Sequence, residues 1–555
     1  MRYTIPQLFA EFAAKHGNRP ALHLQTRHGL DTQSYEVMAS RVDHLARWIV
    51  AQGGKPGERI ALLASNGPDW VVAGLAIISA GRVLVPLDMQ LTPDECLGLI
   101  EHSEATALIA SRQYAQIDQL RDHPGLSQWP LEDLIADVHL LTGTRGPLPE
   151  RDPDDMAILL YTSGTSGAPK GVPMSHHNIT SNVIAVTKRL HPDTSDVWLS
   201  LLPLSHGLEL CMGLLAPLSC GASICYPRSR RPEIIMEAMR KSGTTVMITV
   251  PAILDFFAKA IRSRAPKGWR GRLMRGGLRL LPPAIRRRVI AKLSGMPIGT
   301  IRGIVCGGAF LLPELEMTWR ALGLPIIQGY GLTEAGPVVA VNRRYGPTAH
   351  SAGKLLEIVE VKIAEKDAHG IGEILVKSPG VMAGYFKNPE ATAQTFTEDG
   401  WLKTGDLGYM DDRGELHVAG RSKDVIITGN GLNVYPEEIE AKLEEHHLVT
   451  KACVVQRPIT SGGRRAERDG DQVWAVVVLN EDAVREECPT ALSDPAAMHR
   501  LLTQVLSDTN ARLAPYKRPA GMDIWAELPI TRSGKVQRQR VRQHLQHEAT
   551  KSAAA

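Results

Sequence analysis

The chain has 555 residues, 43% hydrophobic and 22% charged, the balance of an ordinary water-soluble globular protein. A net charge of +4 is too small to imply a nucleic-acid partner, and the length allows a large core without disulfides or metals. Seven cysteines, an odd number with no CxxC spacing, argue against a zinc site or a disulfide framework and fit a reducing cytoplasm.

Met1 to Phe12 lacks the apolar core of a signal peptide. Residues 34–52 place Tyr35, Met38, Val42, Leu45, Ala46 and Ile49 at helical spacing. Then strand and helix alternate: strand 59–65, helix 70–80, strand 83–87, helix 95–102, strand 107–110. That alternation predicts a parallel sheet covered by helices, and it resumes after Asp155, at 244–250 and at 301–305. The uncharged run 210–227 has nearly the length of a membrane span. Gly213, Pro217 and Gly221 divide it, which predicts a buried helix end followed by a buried strand.

Beyond residue 350, short strands at 357–364, 372–376, 408–410 and 415–419 are separated by Gly and Asp, predicting a β-rich subdomain over 350–420. A polar joint, Arg421 to Asp424, precedes a compact α+β unit: strand 425–427, helix 436–445, strands 452–456 and 473–479, helix 496–512. The fold class expected is α/β, with a large N-terminal domain over 1–420 and a smaller, mobile C-terminal domain over 421–555. The stretch 461–471 reads as a solvated loop.

The stretch Tyr161-Thr-Ser-Gly-Thr-Ser-Gly-Ala-Pro-Lys-Gly-Val172 follows an apolar strand, 156–160. Gly164 and Gly167 let backbone N–H groups approach an anion closely. Thr162, Ser163, Thr165 and Ser166 add hydroxyls and Lys170 adds a charge, the chemistry of holding a polyphosphate. It departs from GxxxxGK[ST], because Pro169 and Gly171 stand where Gly and Ser or Thr are required.

With Leu202-Pro-Leu-Ser-His-Gly207, Gln328-Gly-Tyr-Gly-Leu-Thr-Glu334, Trp401-Leu-Lys-Thr-Gly-Asp406, Gly420-Arg-Ser-Lys-Asp-Val425 and Leu528-Pro-Ile-Thr-Arg-Ser-Gly-Lys535 in the same order, nearly the whole chain resembles the adenylate-forming superfamily. Its AMP-forming medium- and long-chain fatty acyl-CoA synthetases are the closest in pattern. The resemblance implies that a carboxylate is joined to the α-phosphorus of ATP with release of pyrophosphate, and that the acyl group then passes to coenzyme A.

It also implies the site. Thr165 and Glu334 would hold Mg²⁺, with Thr162, Ser163, Gly164, Ser166, Lys170 and Thr333 on the ATP. Tyr330, between Gly329 and Gly331, would stack on adenine. Asp406 would accept from both ribose hydroxyls, and Arg421 would add a nearby charge. Lys535 would be the catalytic cation bridging carboxylate and α-phosphate, and His206 would lie beside the acyl carboxylate. Lys423 falls at the hinge, and Gly429 and Gly431 would admit the pantetheine arm. The blander readings are a core aromatic for Tyr330, a structural histidine for His206, a plain turn at 429–431 and one lysine of a basic tail for Lys535.

Amino-acid-activating members place an Asp after the His motif to pair the substrate ammonium; here Glu209 is the only charge in 207–215. His206-Gly-Leu-Glu209 resembles the HxxE of long-chain enzymes, and Gly307 and Gly308 are candidates to line an acyl tunnel, with tight strand-to-loop packing the rival. The acid expected is therefore a fatty acid. Two alternatives remain: a fatty acyl-AMP ligase loading an acyl carrier protein, and a non-catalytic nucleotide- or acyl-binding regulator. Between Asp255 and Glu314 thirteen basic and no acidic residues occur, so the rest of the chain is net acidic. Trp269, Leu273, Met274 and Ile285 interleave with these charges, which suits either peripheral contact of 259–302 with an anionic membrane or a solvated basic surface.

Overall fold

In a computed structural model of the chain, the structure describes residues 2–112, 125–136, 146–162, 169–264, 281–324, 326–427, 433–457, 472–530 and 536–554. The expected α/β architecture is present as two large sheets and a smaller C-terminal unit. A six-stranded sheet runs Ser127–Pro130, Ala105–Ala110, Arg59–Leu63, Val83–Pro86, Met156–Thr162, Lys170–Ser175. Its pairings are parallel until the last, an antiparallel hairpin.

Helices make the parallel crossovers and are set by their ends. Helix Pro93–Ser103 starts at Thr92, whose hydroxyl accepts from the Glu95 amide while the Glu95 carboxylate caps in return. Ser175 and Asn178 do the same for helix His176–Leu190. Helix Pro68–Ser79 is buried along its whole length except at Asp69, which explains why it is apolar on every side.

The second sheet has thirteen strands. Edge strand Leu30–Ser34 pairs antiparallel with Pro20–Gln25, and from there Pro20–Gln25, Ser223–Tyr226, Val197–Leu199, Val246–Thr249, Gly303–Cys306 and Ile326–Tyr330 pair in parallel. From Tyr330 the sheet turns antiparallel through Ala340–Val341, Gly353–Leu355, Glu415–Arg421, Leu402–Met410, Gly372–Lys377 and Glu360–Ala364. The β-rich segment is therefore no separate sheet. It is hydrogen-bonded onto the parallel one through Gly329–Val341 and Tyr330–Ala340. The strand expected at 408–410 begins earlier, at Leu402, because the Thr-Gly-Asp stretch lies within it, with a register shift against each neighbouring strand.

The C-terminal unit packs helices Pro436–Glu444, Pro495–Asn510 and Arg538–Ala554 with strands Val449–Arg457, Gln472–Leu479 and Gly521–Ile524. It has its own core of Ile439, Leu443, Val454, Val477 and Val505. Among its contacts with the large unit, Tyr435 Oη donates to Asp367 Oδ2 (3.1 Å) and Lys442 Nζ lies 3.7 Å from Glu314. All seven cysteines are free; five are buried, and Cys220 and Cys488 are half-buried. Among the described residues no helix is long and apolar enough to cross a membrane.

Candidate active site

The hairpin Met156–Thr162/Lys170–Ser175 carries the phosphate-type loop, closed at its base by the Thr162–Lys170 pair. Ser163, Gly164, Thr165 and Ser166 lie outside the described residues. Lys170 Nζ stands 4.8 Å over the ring of Tyr385, whose hydroxyl donates to Glu334 Oε1 at 2.9 Å. The backbone fixes this arrangement from both sides: the Phe386 amide donates to the Gly171 carbonyl and the Met382 amide to that of Glu334. Burial, then the Glu334 charge, push the Tyr385 hydroxyl well up, so it stays a donor. Thr333 opens the short 3₁₀ turn Thr333–Ala335 that presents Glu334.

Among the described residues no three metal-binding side chains cluster. Glu334 nonetheless suits Mg²⁺, which needs only one or two carboxylates beside substrate phosphates: its Oε2 has no hydrogen-bond partner among the described residues.

Tyr330, Asp406 and Arg421 form one constellation. Asp406 Oδ2 accepts from Tyr330 Oη at 2.8 Å, and Arg421 Nε lies 2.9 Å from Oδ1. Asp406 and Arg421 are register partners on adjacent strands, and the Asp406 amide donates to Thr404 Oγ1. Burial and the Asp406 charge hold the Tyr330 hydroxyl protonated, well above its usual range. Gly331 is obligatory, because a Cβ there would overlap the Pro337 carbonyl oxygen. Gly329 pairs with Val341.

The third wall is the segment 200–215. Asn66 Nδ2 donates to the Leu202 carbonyl (2.6 Å) and to Ser200 Oγ (3.2 Å), while its Oδ1 accepts from the Leu204 amide (3.0 Å). This anchors the loop that presents His206, whose Nε2 lies 3.6 Å from Asp88 Oδ2. Glu209 then opens a wide π-helical turn, Glu209–Leu215, that is buried throughout. Its carboxyl is 0% exposed, accepts from Ser200 Oγ at 2.5 Å and packs against Gly213. Burial pushes its pKa up to about 8, so it is neutral at pH 7.

Leu208, between them, reaches Gly307 and Gly308. A Cβ on Gly308 would stand 3.6 Å from Val250 Cγ1 and 3.9 Å from Leu208 Cδ2. A Cβ on Gly307 would stand 3.3 Å from the Gly329 carbonyl oxygen and 3.8 Å from Leu208 Cδ2. Both expected tunnel glycines thus face Leu208, and Gly307 also faces the Gly329 backbone.

Lys423 sits in a short 3₁₀ turn, Ser422–Asp424, after the strand that ends at Arg421. Gly429, Gly431, Lys535 and the 461–471 loop lie outside the described residues. So do 265–280 of the basic segment, with most of its apolar residues. Of its described cations, Lys259 pairs with Asp255 and Arg302 with Asp196. Ile530 and Val536 bridge across the Lys535 stretch, and Arg538 pairs with Asp424, Glu437 and Glu440 at 2.9, 3.3 and 2.7 Å.

Sequence reasoning missed Tyr385, Asn66 and Arg538. Gly384-Tyr-Phe386 was a usable signal, an aromatic pair after a glycine at the end of an apolar stretch. Asn66 had none beyond a Ser-Asn-Gly turn.

The chain matches the family described as AMP-binding enzyme over residues 9–386, and that family's C-terminal domain over 438–535. It belongs to that family, and at that level its activity is that of an AMP-forming CoA ligase. A feruloyl-CoA synthase of an Amycolatopsis species is 30% identical over 94% of this chain and 95% of its own length. The medium-chain fatty-acid–CoA ligase of Escherichia coli K12 is 27% identical over 94% of this chain and 88% of its own length. Among solved structures, ATP-bound MatB from Rhodopseudomonas palustris superimposes with a TM-score of 0.79 at 27% identity, covering 98% and 99% of the two chains.

Proposed function

We propose that the acid is a medium- or long-chain fatty acid, activated with ATP to acyl-AMP and pyrophosphate and then transferred to coenzyme A. The observation that carries this reading is the burial of charge on the acyl side. Glu209, the only charge of 207–215, is fully buried with its carboxyl against Ser200 and Gly213, while Leu208, Val250 and Gly308 face one another. Among the described residues of 207–215 a substrate ammonium has no exposed carboxylate to pair with, and a hydrocarbon chain needs none. The fatty-acid ligase relative supports the same reading.

In this reading Thr162, Ser163, Gly164, Thr165, Ser166, Lys170 and Thr333 contact the ATP, Tyr330 stacks on its base between Gly329 and Gly331, and Asp406 with Arg421 takes the ribose. Glu334, with Thr165, holds Mg²⁺, which when bound offsets charge on the phosphates. His206 orients the acyl carboxylate. Lys535 stabilises charge developing between carboxylate and α-phosphate. The small domain, from residue 421, turns about Lys423 so that the Gly429–Gly431 segment replaces Lys535 at the site.

Coenzyme A-dependent AMP release, measured with Mg²⁺ across saturated acids of increasing length beside ferulate and 2-succinylbenzoate, tests the reading. It predicts a rate that climbs with chain length beyond six carbons. A higher rate with either aromatic acid than with any saturated acid overturns it. AMP release that needs a carrier protein and fails with coenzyme A overturns the acceptor.

A further inference from the structure

At the far end of strand Glu415–Arg421 from Arg421 lies a cavity of about 270 Å³ lined by Arg189, Arg343, Thr348, Lys354, Arg413 and Glu415. At about 3.3 Å per residue it is on the order of 20 Å from the Asp406–Arg421 pair. Four cations face one space, and among the described residues none of the four is in an ion pair. Glu415 is the one carboxylate of the lining, so the cavity stays net positive, and an anion between the four cations relieves their mutual repulsion.

The surroundings are fixed. Asn342, fully buried, donates to the carbonyls of Thr348 and Ser351 and accepts from the Thr348 amide. Arg343 Nε donates to the Gly346 carbonyl (2.6 Å) and Arg189 Nε to that of Val341 (3.3 Å). Both guanidinium groups are thereby held by one edge. Lys354 is the register partner of Glu415 on the neighbouring strand. Asp411 accepts from the Arg413 and Glu415 amides, which sets the hairpin tip.

Glu415 gives the cavity its chemistry. It is 6% exposed; Oε1 accepts from Thr348 Oγ1 at 3.0 Å, and Oε2 is buried with no partner. A carboxylate oxygen can only accept, so the missing partner is a hydrogen-bond donor. We propose that the cavity is a second ligand site, separate from adenylation, for a phosphate-class anion that also presents a hydroxyl. The cations take the anionic oxygens and Glu415 Oε2 accepts a hydrogen bond from the hydroxyl. Inorganic phosphate, with its P–OH, and a phosphomonoester bearing an alcohol both fit. Sulfate, which has the charge and no donor, is rejected, because a buried carboxylate facing a bare anionic oxygen is repelled.

Titration calorimetry of the full-length protein at pH 7.5 and constant ionic strength, with inorganic phosphate, glycerol 3-phosphate and sulfate as probes, tests this. Phosphate should bind the native chain about tenfold tighter than sulfate, the size of one hydrogen bond to a charged group. Glu415→Gln should bring that ratio near one, chiefly by tightening sulfate. Arg343→Ala with Lys354→Ala, both on exposed residues, should weaken phosphate about tenfold and leave ATP–pyrophosphate exchange unchanged. Tighter glycerol 3-phosphate would identify an organic phosphate as the ligand, and tighter inorganic phosphate the free ion. Equal affinity for phosphate and sulfate in the native chain overturns the proposal, as does phosphate binding that Arg343→Ala with Lys354→Ala leaves intact.

Discussion

Asp406 and Glu209 are both buried carboxyl groups at the candidate site, and their surroundings treat them oppositely. Asp406 has a donor on each oxygen, Tyr330 and Arg421, and lies beside a partly exposed guanidinium. Glu209 sits in a turn buried throughout and accepts from Ser200, and burial raises its pKa to about 8. A paired carboxylate can exchange its partners for substrate hydroxyls, whereas a fully buried carboxyl held neutral presents no charge to a substrate. The polar side of the site is thus built to trade hydrogen bonds, and the apolar side to keep a wall in place.

The largest expected effect lies on the polar side. Lys535→Ala should lower acyl-AMP formation by about 10²- to 10³-fold, as for other preorganised charge stabilisers, with folding intact by circular dichroism. A loss below tenfold would remove Lys535 from the reaction. Next, Asp406→Ala leaves Arg421 and Tyr330 without their partner and should raise the KM for ATP by about 10- to 100-fold, while the KM for the acid changes little. An equal rise in both would dissolve the distinction between the sides.

On the apolar side Gly213→Ala sets a Cβ 2.5 Å from the Glu209 carboxyl carbon, and should cost about 1–3 kcal/mol of stability in urea unfolding. Glu209→Gln tests the neutrality itself. The folded group titrates at about 8 and the unfolded one near its ordinary 4.5, so between these values only the folded state holds the proton. Stability from this group therefore falls as pH rises through that window, by at most about 1.4 kcal/mol per pH unit, and levels off above it. The Gln variant should lack that slope; an unchanged pH–stability curve would mean Glu209 is ionised. The smallest effect is Tyr385→Phe, which frees Glu334 from one donor and should change kcat by less than about tenfold while altering the Mg²⁺ concentration needed.

Much of this was legible beforehand because it is local. Helix Tyr35–Ala51 and strand Arg59–Leu63 follow from periodicity, and the run after Glu209 is indeed a buried helical turn followed by strand Ser223–Tyr226. Residues 161–172 announced a polyphosphate loop by hydroxyls and glycines alone. What escaped was long-range. Asn66 meets Leu202 across 136 positions and Tyr385 meets Glu334 across 51, and no spacing rule spans such gaps. The attachment of the β-rich segment to the parallel sheet was hidden for the same reason, since two short pairings at Gly329 and Tyr330 decide it.

The cysteines, which first spoke only of compartment, have a use in optics. Cys96, Cys211, Cys225, Cys306 and Cys453 are buried, and burial raises the thiol pKa of Cys211, Cys225, Cys306 and Cys453, so they are slow toward maleimides. Cys220 and Cys488 are the two half-buried thiols, one in the large unit and one in the small; burial raises the Cys220 thiol too, so it takes a dye slowly. The native chain thus carries one dye position on each side of the proposed hinge. A donor and acceptor placed there would report the turn of the small unit as a change in energy transfer, with no residue altered.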